Sequence, residues 1–356
     1  MRSRRLLWTI PLTAGLALLF VPGCKVGYLL SSGYYQAELL SLREPVDELR
    51  GSGRLSPEQE AKLDVVFDAK TWGSEIGLKA TDNYETVSLD WERQIWNVSA
   101  CKPTSFEPKR WWFPVVGSFP YLGFFREEDA QELEAQLKAD DWDVYLRTAG
   151  AYSTLGWFKD PILPGMLQWS DWKLAETVFH ELAHATLWVP GSVKFNESFA
   201  NFVGEVAVLR YWQERYGAHD PEILNQVQRQ EDLELWRQLQ HQLYEDLNAV
   251  YTNEDLSEDQ KLAEKARLFD EDFPSRVRSA AFFQPERFEK ALDKGTWNNA
   301  RLVQFKTYNS NAELFAALLA EEEFDLLAFI DAVGRITDQR GNPFDALKTH
   351  LGVQDS

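Results

Sequence analysis

Cysteine is nearly missing from this chain, with 2 among 356 residues, so no framework of disulfides can hold the fold. Basic residues are also short: 37 Lys and Arg face 56 Asp and Glu, a net charge of -19. Such a surface repels phosphate backbones and argues against a nucleic-acid partner. Neither Cys24 nor Cys101 stands near the histidines that follow, which disfavours a thiolate metal site. There is no internal repeat and no low-complexity tract, so solenoid and fibrous architectures fall away. Only 5 histidines occur, and two of them are four residues apart.

Apolar residues make up 44 %, with 14 Trp and 22 Phe, enough for a sizeable core. The first residues read as a leader. Arg2, Arg4 and Arg5 form a basic start, Leu6 to Val21 is mostly apolar, and small residues follow up to Gly23-Cys24. Val21-Pro22-Gly23-Cys24 is similar to a bacterial lipobox, in which the cysteine is lipidated and becomes the new N-terminus. Residues 1–23 are thus expected to be a lipoprotein signal peptide, with Cys24 lipidated; an ordinary signal peptide with a chance cysteine, or an uncleaved anchor, is the alternative. Lys25 stands where a retaining Asp is absent, which points to the periplasmic face of the outer membrane. Residues 24–33 read as a tether.

From 34 to 170 the signals are mixed. Tyr34 to Arg43 and Ser56 to about Thr71 read as helices, the second opened by Ser56-Pro57-Glu58-Gln59, a capping box with proline in the first turn. Gln94 to Cys101, Trp111 to Ser118 and Trp142 to Thr148 read as strands, and Glu127 to Ala139 as a helix between the last two. From 171 to 356 strand signals nearly vanish. Helices are expected over Trp172–Trp188, Asn196–Tyr216, Pro221–Val250, Asn298–Tyr308, Ala312–Ala320 and Phe324–Ile336. The 221–250 helix carries an apolar stripe of Ile223, Leu224, Val227, Leu233, Trp236, Leu239, Leu243 and Leu247.

His180-Glu181-Leu182-Ala183-His184 is an HExxH pattern. Residues four apart share one helix face, so two imidazoles can reach one ion. Glu181 sits about 100° round the helix, beside the metal and not on it, where it can take a proton from metal-bound water. Leu174, Ala175, Val178, Phe179, Leu182, Ala183 and Leu187 make this helix apolar on most sides, and buried His and Glu need partners. Pro190-Gly191 ends it. Asn196 then reads as the cap of a returning helix with Glu197 in its first turn. Glu197 can complete a His2Glu set that leaves a fourth position open, as catalytic zinc requires; its plainer reading is a helix-start acid favoured by the dipole. Gly204, seven residues on, would let the two helices approach closely.

Phe195-Asn196-Glu197-Ser198-Phe199-Ala200 after His-Glu-Leu-Ala-His resembles the gluzincin metallopeptidases. Tyr34-Tyr35-Gln36-Ala37, Phe113-Pro114-Val115-Val116-Gly117, Ala151 to Phe158 and Asn298-Asn299-Ala300 are similar to a bacterial family of predicted aminopeptidases, over nearly the whole mature chain. The resemblance implies an α+β fold, with a mixed α/β part carrying a small sheet packed on a mainly helical, zincin-like part. It implies one zinc ion, held by His180, His184 and Glu197, and a peptide or protein substrate. Tyr152, Ser153 and Thr154 would pair with the substrate backbone, as a strand does at that place in gluzincins; a core strand packed through Leu155, Trp157 and Phe158 is the other reading. Asn298 and Asn299 are further substrate-binding candidates. Tyr308 would donate to the oxyanion, or else fill a helical core. Glu176 and Glu205 could support the ligands or a substrate ammonium, or be plain helix acids. The segment from His184 to Glu197 is shorter than in the larger gluzincin aminopeptidases, so their substrate contacts do not transfer.

The expected reaction is zinc-dependent peptide hydrolysis by an aminopeptidase, with Glu181 as general base. An envelope endopeptidase with the same site is one alternative. A non-catalytic metal-binding envelope lipoprotein is another, and Glu181 argues against it because a structural site has no use for that acid.

Overall fold

The computed structural model describes residues 23–113, 117–148, 159–304, 312–338 and 341–353. The chain opens with helix α1 (Gly23–Ser41), so the stretch read as a tether is helical in its described backbone. Strand β1 (Glu44–Pro45) and the single-turn α2 (Val46–Leu49) lead to α3 (Pro57–Glu75). The capping box is formed as expected: Ser56 Oγ accepts from the Gln59 amide, and Gln59 Oε1 accepts from the Ser56 amide. β2 (Thr86–Val87) pairs antiparallel with β1.

The main sheet has three strands. β3 (Trp96–Cys101) lies in the middle, with β6 (Tyr121–Phe124) and β7 (Asp143–Thr148) antiparallel on either side, so that Val98 faces both Leu122 and Leu146. The run Trp111–Ser118 is not one strand. It divides into β4 (Trp111–Phe113) and β5 (Gly117–Phe119), which pair with Trp111 opposite Phe119. Helix α4 (Glu127–Ala139) covers the sheet through Ala130 and Leu137, against Val98, Ala100, Leu122 and Val144. Cys101 is fully buried at the end of β3, and burial pushes its thiol up to about 12, which keeps it inert.

The helical part is built on α5 (Asp171–Thr186) and α6 (Val193–Tyr216), packed side by side with α3 across them. α5 starts at Ser170, whose Oγ accepts from the Lys173 amide. Phe179, Leu182 and Ala183 point into the shared core with Trp72. The other side of α6 presents Phe195, Phe199 and Phe202 to three late helices: α12 (Ala312–Glu321), α13 (Leu326–Thr337) and α14 (Pro343–Leu351). Phe315, Phe329 and Phe344 pack against them, mostly edge-on or tilted, with centroids 5.0–6.2 Å apart.

A second core forms around α7 (Pro221–Thr252), α8 (Glu258–Arg267), a π-helical turn at Leu268–Asp272, α9 (Phe273–Ser279), α10 (Pro285–Asp293) and the short α11 (Asn299–Leu302). Leu239, Leu243 and Leu247 of α7 bury against Phe269, Phe273, Phe288 and Trp297. The early part of the α7 stripe behaves otherwise: Leu224 and Val227 are exposed, because the helix outruns the elements that pack on it.

Candidate metal centre

α5 brings His180 and His184 to one face, one turn apart, with their rings perpendicular and centroids 4.6 Å apart. Their Nε2 atoms face each other at 3.1 Å. From α6, Glu197 reaches in, with Oε2 3.6 Å from His180 Nε2 and Oε1 3.6 Å from His184 Nε2. The three ligand atoms lie within 4.8 Å of one another, the one group of three or more such residues among the described residues that could hold a metal ion.

Two devices of the sequence set this geometry. Gly204 allows the helices to touch: a Cβ there would stand 3.1 Å from the Glu176 carbonyl oxygen and 3.5 Å from the His180 Cβ. Asn196 sets the turn. It does not cap α6, as its position suggested; α6 starts earlier, after Ser192. Fully buried, its side chain instead accepts from the Val189 amide and donates to the Val189 carbonyl, both at 2.8 Å. That clamp closes the short connection and places Glu197, the next residue, against the imidazoles.

The donor set fits a zinc ion. Tetrahedral zinc with Zn–N near 2.05 Å holds two nitrogens about 3.3 Å apart, close to the spacing seen. Two imidazole nitrogens and a carboxylate oxygen converging on one point could hold a cation between them. Burial, and then the neighbouring His184, lower the His180 pKa, so the ring is neutral, the state that ligates. Burial tends to raise Glu197, but its bond to His184 and the two imidazoles outweigh this and hold the carboxyl below its usual range. The Asn201 side chain is a hydrogen-bonding neighbour of His180, one turn after Glu197 on the same helix face. It supports that ligand from outside. His184 Nδ1 is buried without a partner among the described residues. The indole of Trp188, 5.5 Å from the His184 ring, is exposed at the end of α5.

Glu181 is not one of the three grouped residues, but it lies within interaction range of His184 and Glu197 on one side and of Asn83 and Asp160 on the other. Burial first, then Asp160 and Glu197, push its carboxyl up to about 7 against the downward pull of His184 and the Asn83 side chain. Tyr84 and Asp160, both buried, lie in the same neighbourhood, and Tyr84 holds a left-handed φ of 64°. Sequence reasoning missed Asn83, Asp160 and Asn201. Asn201 had a signal, four residues past Glu197; Asn83 and Asp160 had none, being about 100 and 20 residues from Glu181.

Of the other candidates, only some fall among the described residues. Tyr152, Ser153, Thr154 and Tyr308 lie outside the described residues, as does the Cys24 side chain. Glu176 pairs with Lys173 at 3.0 Å. Glu205 lies near Glu176; its carboxyl is raised to about 6 by burial and then by that neighbour, though the residue keeps an exposed flank. Asn298 caps α11 through the Arg301 amide and donates to the Val144 carbonyl. Asn299, fully buried, donates to the carbonyls of Lys102, Pro103 and Ser105, accepts from Tyr251, and its amide donates to Asp143. These bonds lash the second core to the sheet. A cavity of about 500 Å³ near them, lined by Trp142, Tyr145, Lys265 and Trp297, shares none of its lining residues with the metal centre.

A family model described as "Putative aminopeptidase" matches residues 27–343. No curated protein and no solved structure matches the chain.

Proposed function

Since the chain belongs to the aminopeptidase family so described, which covers most of its length, we propose that it is a zinc-dependent peptidase with Glu181 as its general base. The observation that carries this is the convergence of His180, His184 and Glu197 from two helices, with a carboxyl on the adjoining residue that does not ligate. When bound, the ion would supply Lewis acidity toward a water molecule and a peptide carbonyl. The protein's own residues do the rest. Glu181 takes the proton from the attacking water and passes it to the departing amine. A carboxyl raised toward neutrality suits both halves of that exchange, accepting and then releasing.

Peptides of stated sequence, with free and with acetylated N-termini, test the reading on the zinc-loaded protein. Cleavage confined to free N-termini, one residue at a time, is expected. Equal cleavage of blocked peptides would make it an endopeptidase; no cleavage of any would leave a metal-binding envelope protein.

The sequence supports an envelope location, through lipid on Cys24 and the outer membrane as its address. Among the described residues no helix is long and apolar enough to cross a membrane. In a bacterial host the full chain is expected in the membrane fraction, incorporating labelled palmitate, with Cys24→Ser losing the label. Label retained by that variant refutes the assignment.

A further inference from the structure

Asn83 sits in a loop that has no helix or strand of its own, yet it is fixed from several sides. Its amide donates to Thr81 Oγ1 at 3.2 Å, and its carbonyl accepts from Lys70 Nζ at 2.9 Å. Its side-chain Oδ1 accepts from the Asp160 amide at 3.1 Å. The next amide, of Tyr84, donates back to the Asp160 carbonyl at 2.8 Å. Two segments distant in sequence are thereby laced together. The backbone accepts a cost for this arrangement, since Tyr84 lies in the left-handed region that side chains other than glycine avoid. Such strain persists where the surroundings over-determine it, and here the surroundings include a catalytic candidate.

The Asn83 side chain is also a hydrogen-bonding neighbour of the Glu181 carboxyl. An amide has one accepting and one donating end. The Asp160 N–H claims the oxygen, so the NH2 group is the end left to face Glu181, and an ionised carboxylate can only accept. We propose that Asn83 is a positioning residue for Glu181: anchored by the Asp160 amide, it donates to one carboxylate oxygen and turns the other toward the attacking water. This rests on the peptidase reading above. It adds that a general base needs its orientation held as firmly as its distance, and that the holding group comes from the loop before β2 and not from either metal-binding helix.

The two ends of the amide can be tested apart. Asn83→Asp keeps an acceptor for the Asp160 amide and replaces the donor with a second acceptor aimed at Glu181. On the zinc-loaded enzyme, Asn83→Asp is expected to lower kcat at least ~10-fold with KM and metal content unchanged, an orientation effect. Asn83→Ala, which loses both ends, should do no better. A residue that merely holds the loop would leave Asn83→Asp turning over like the wild type, and that outcome overturns the proposal. A loss residing in KM or in metal content overturns it too. Glu181→Gln separates this from the parent reading: if that variant still turns over, the peptidase assignment falls, whereas an inactive Glu181→Gln beside a fully active Asn83→Asp removes Asn83 alone. The coupling has a readout that needs no turnover. Asn83→Asp should lower Tm, and adding Glu181→Gln should restore it, because the new amide can donate to the new carboxylate. Additive shifts in the two variants would sink the proposal.

Discussion

Glu181→Gln is expected to keep full metal content and lower peptide turnover by about 10²–10⁴-fold, the usual worth of a positioned acid–base group. That loss corresponds to about 3–5 kcal/mol of barrier. The reason lies in the division of labour along one helical turn. His180 and His184 face Glu197, and Glu181, outside that group of three, interacts with His184 and Glu197 as well as with Asn83 and Asp160. An amide of the same shape therefore leaves the three ligands and their spacing untouched. It cannot accept a proton from water, nor release one to an amine. Metal analysis and kcat measured on the same preparation check this. Turnover within about threefold of wild type, with zinc bound, would remove Glu181 from the mechanism.

His184→Ala should abolish both tight zinc binding and turnover, and should make the protein's Tm indifferent to zinc. In the wild type, an ion at about a thousand times its Kd would stabilise the folded state by about 4 kcal/mol, because only the folded chain assembles the site. The metal-free variant, by contrast, is expected to melt near the metal-free wild type. The His184 ring brings a buried Nδ1 with no partner among the described residues, so its removal relieves an unsatisfied group as well as leaving space. Calorimetry with and without zinc, and with a chelator, gives the comparison. A wild type whose Tm ignores zinc would refute the centre; a metal-free variant that fails to fold would show instead that His184 is structural.

The legible part of the site was the part with helical spacing. His180, Glu181 and His184 follow one another on α5 at intervals that any helix translates into faces, and Glu197 follows after a short turn, so sequence distance stood in for spatial distance. Gly204 was legible for the same reason, seven residues from Glu197. Asn196 was read as a cap from its residue type, but the helix had begun four residues earlier and the amide was spent on Val189. The strand run 111–118 and the α7 stripe show the same limit. Composition marked the segments, while neighbours decided where pairing stopped and which apolar residues found cover.

Local order along the chain determined the α+β character, the helix that carries His180, Glu181 and His184, the residue types that gather with them and the acidic net charge. Each follows from properties carried by a residue and its near neighbours: periodicity, charge, capping. Tertiary structure alone decided what surrounds those residues. It laid the loop at Asn83 and the segment at Asp160 beside Glu181, and it gave Asn299 to the sheet. These are contacts between segments far apart in the chain, fixed by the packing of whole elements, and no local pattern encodes them.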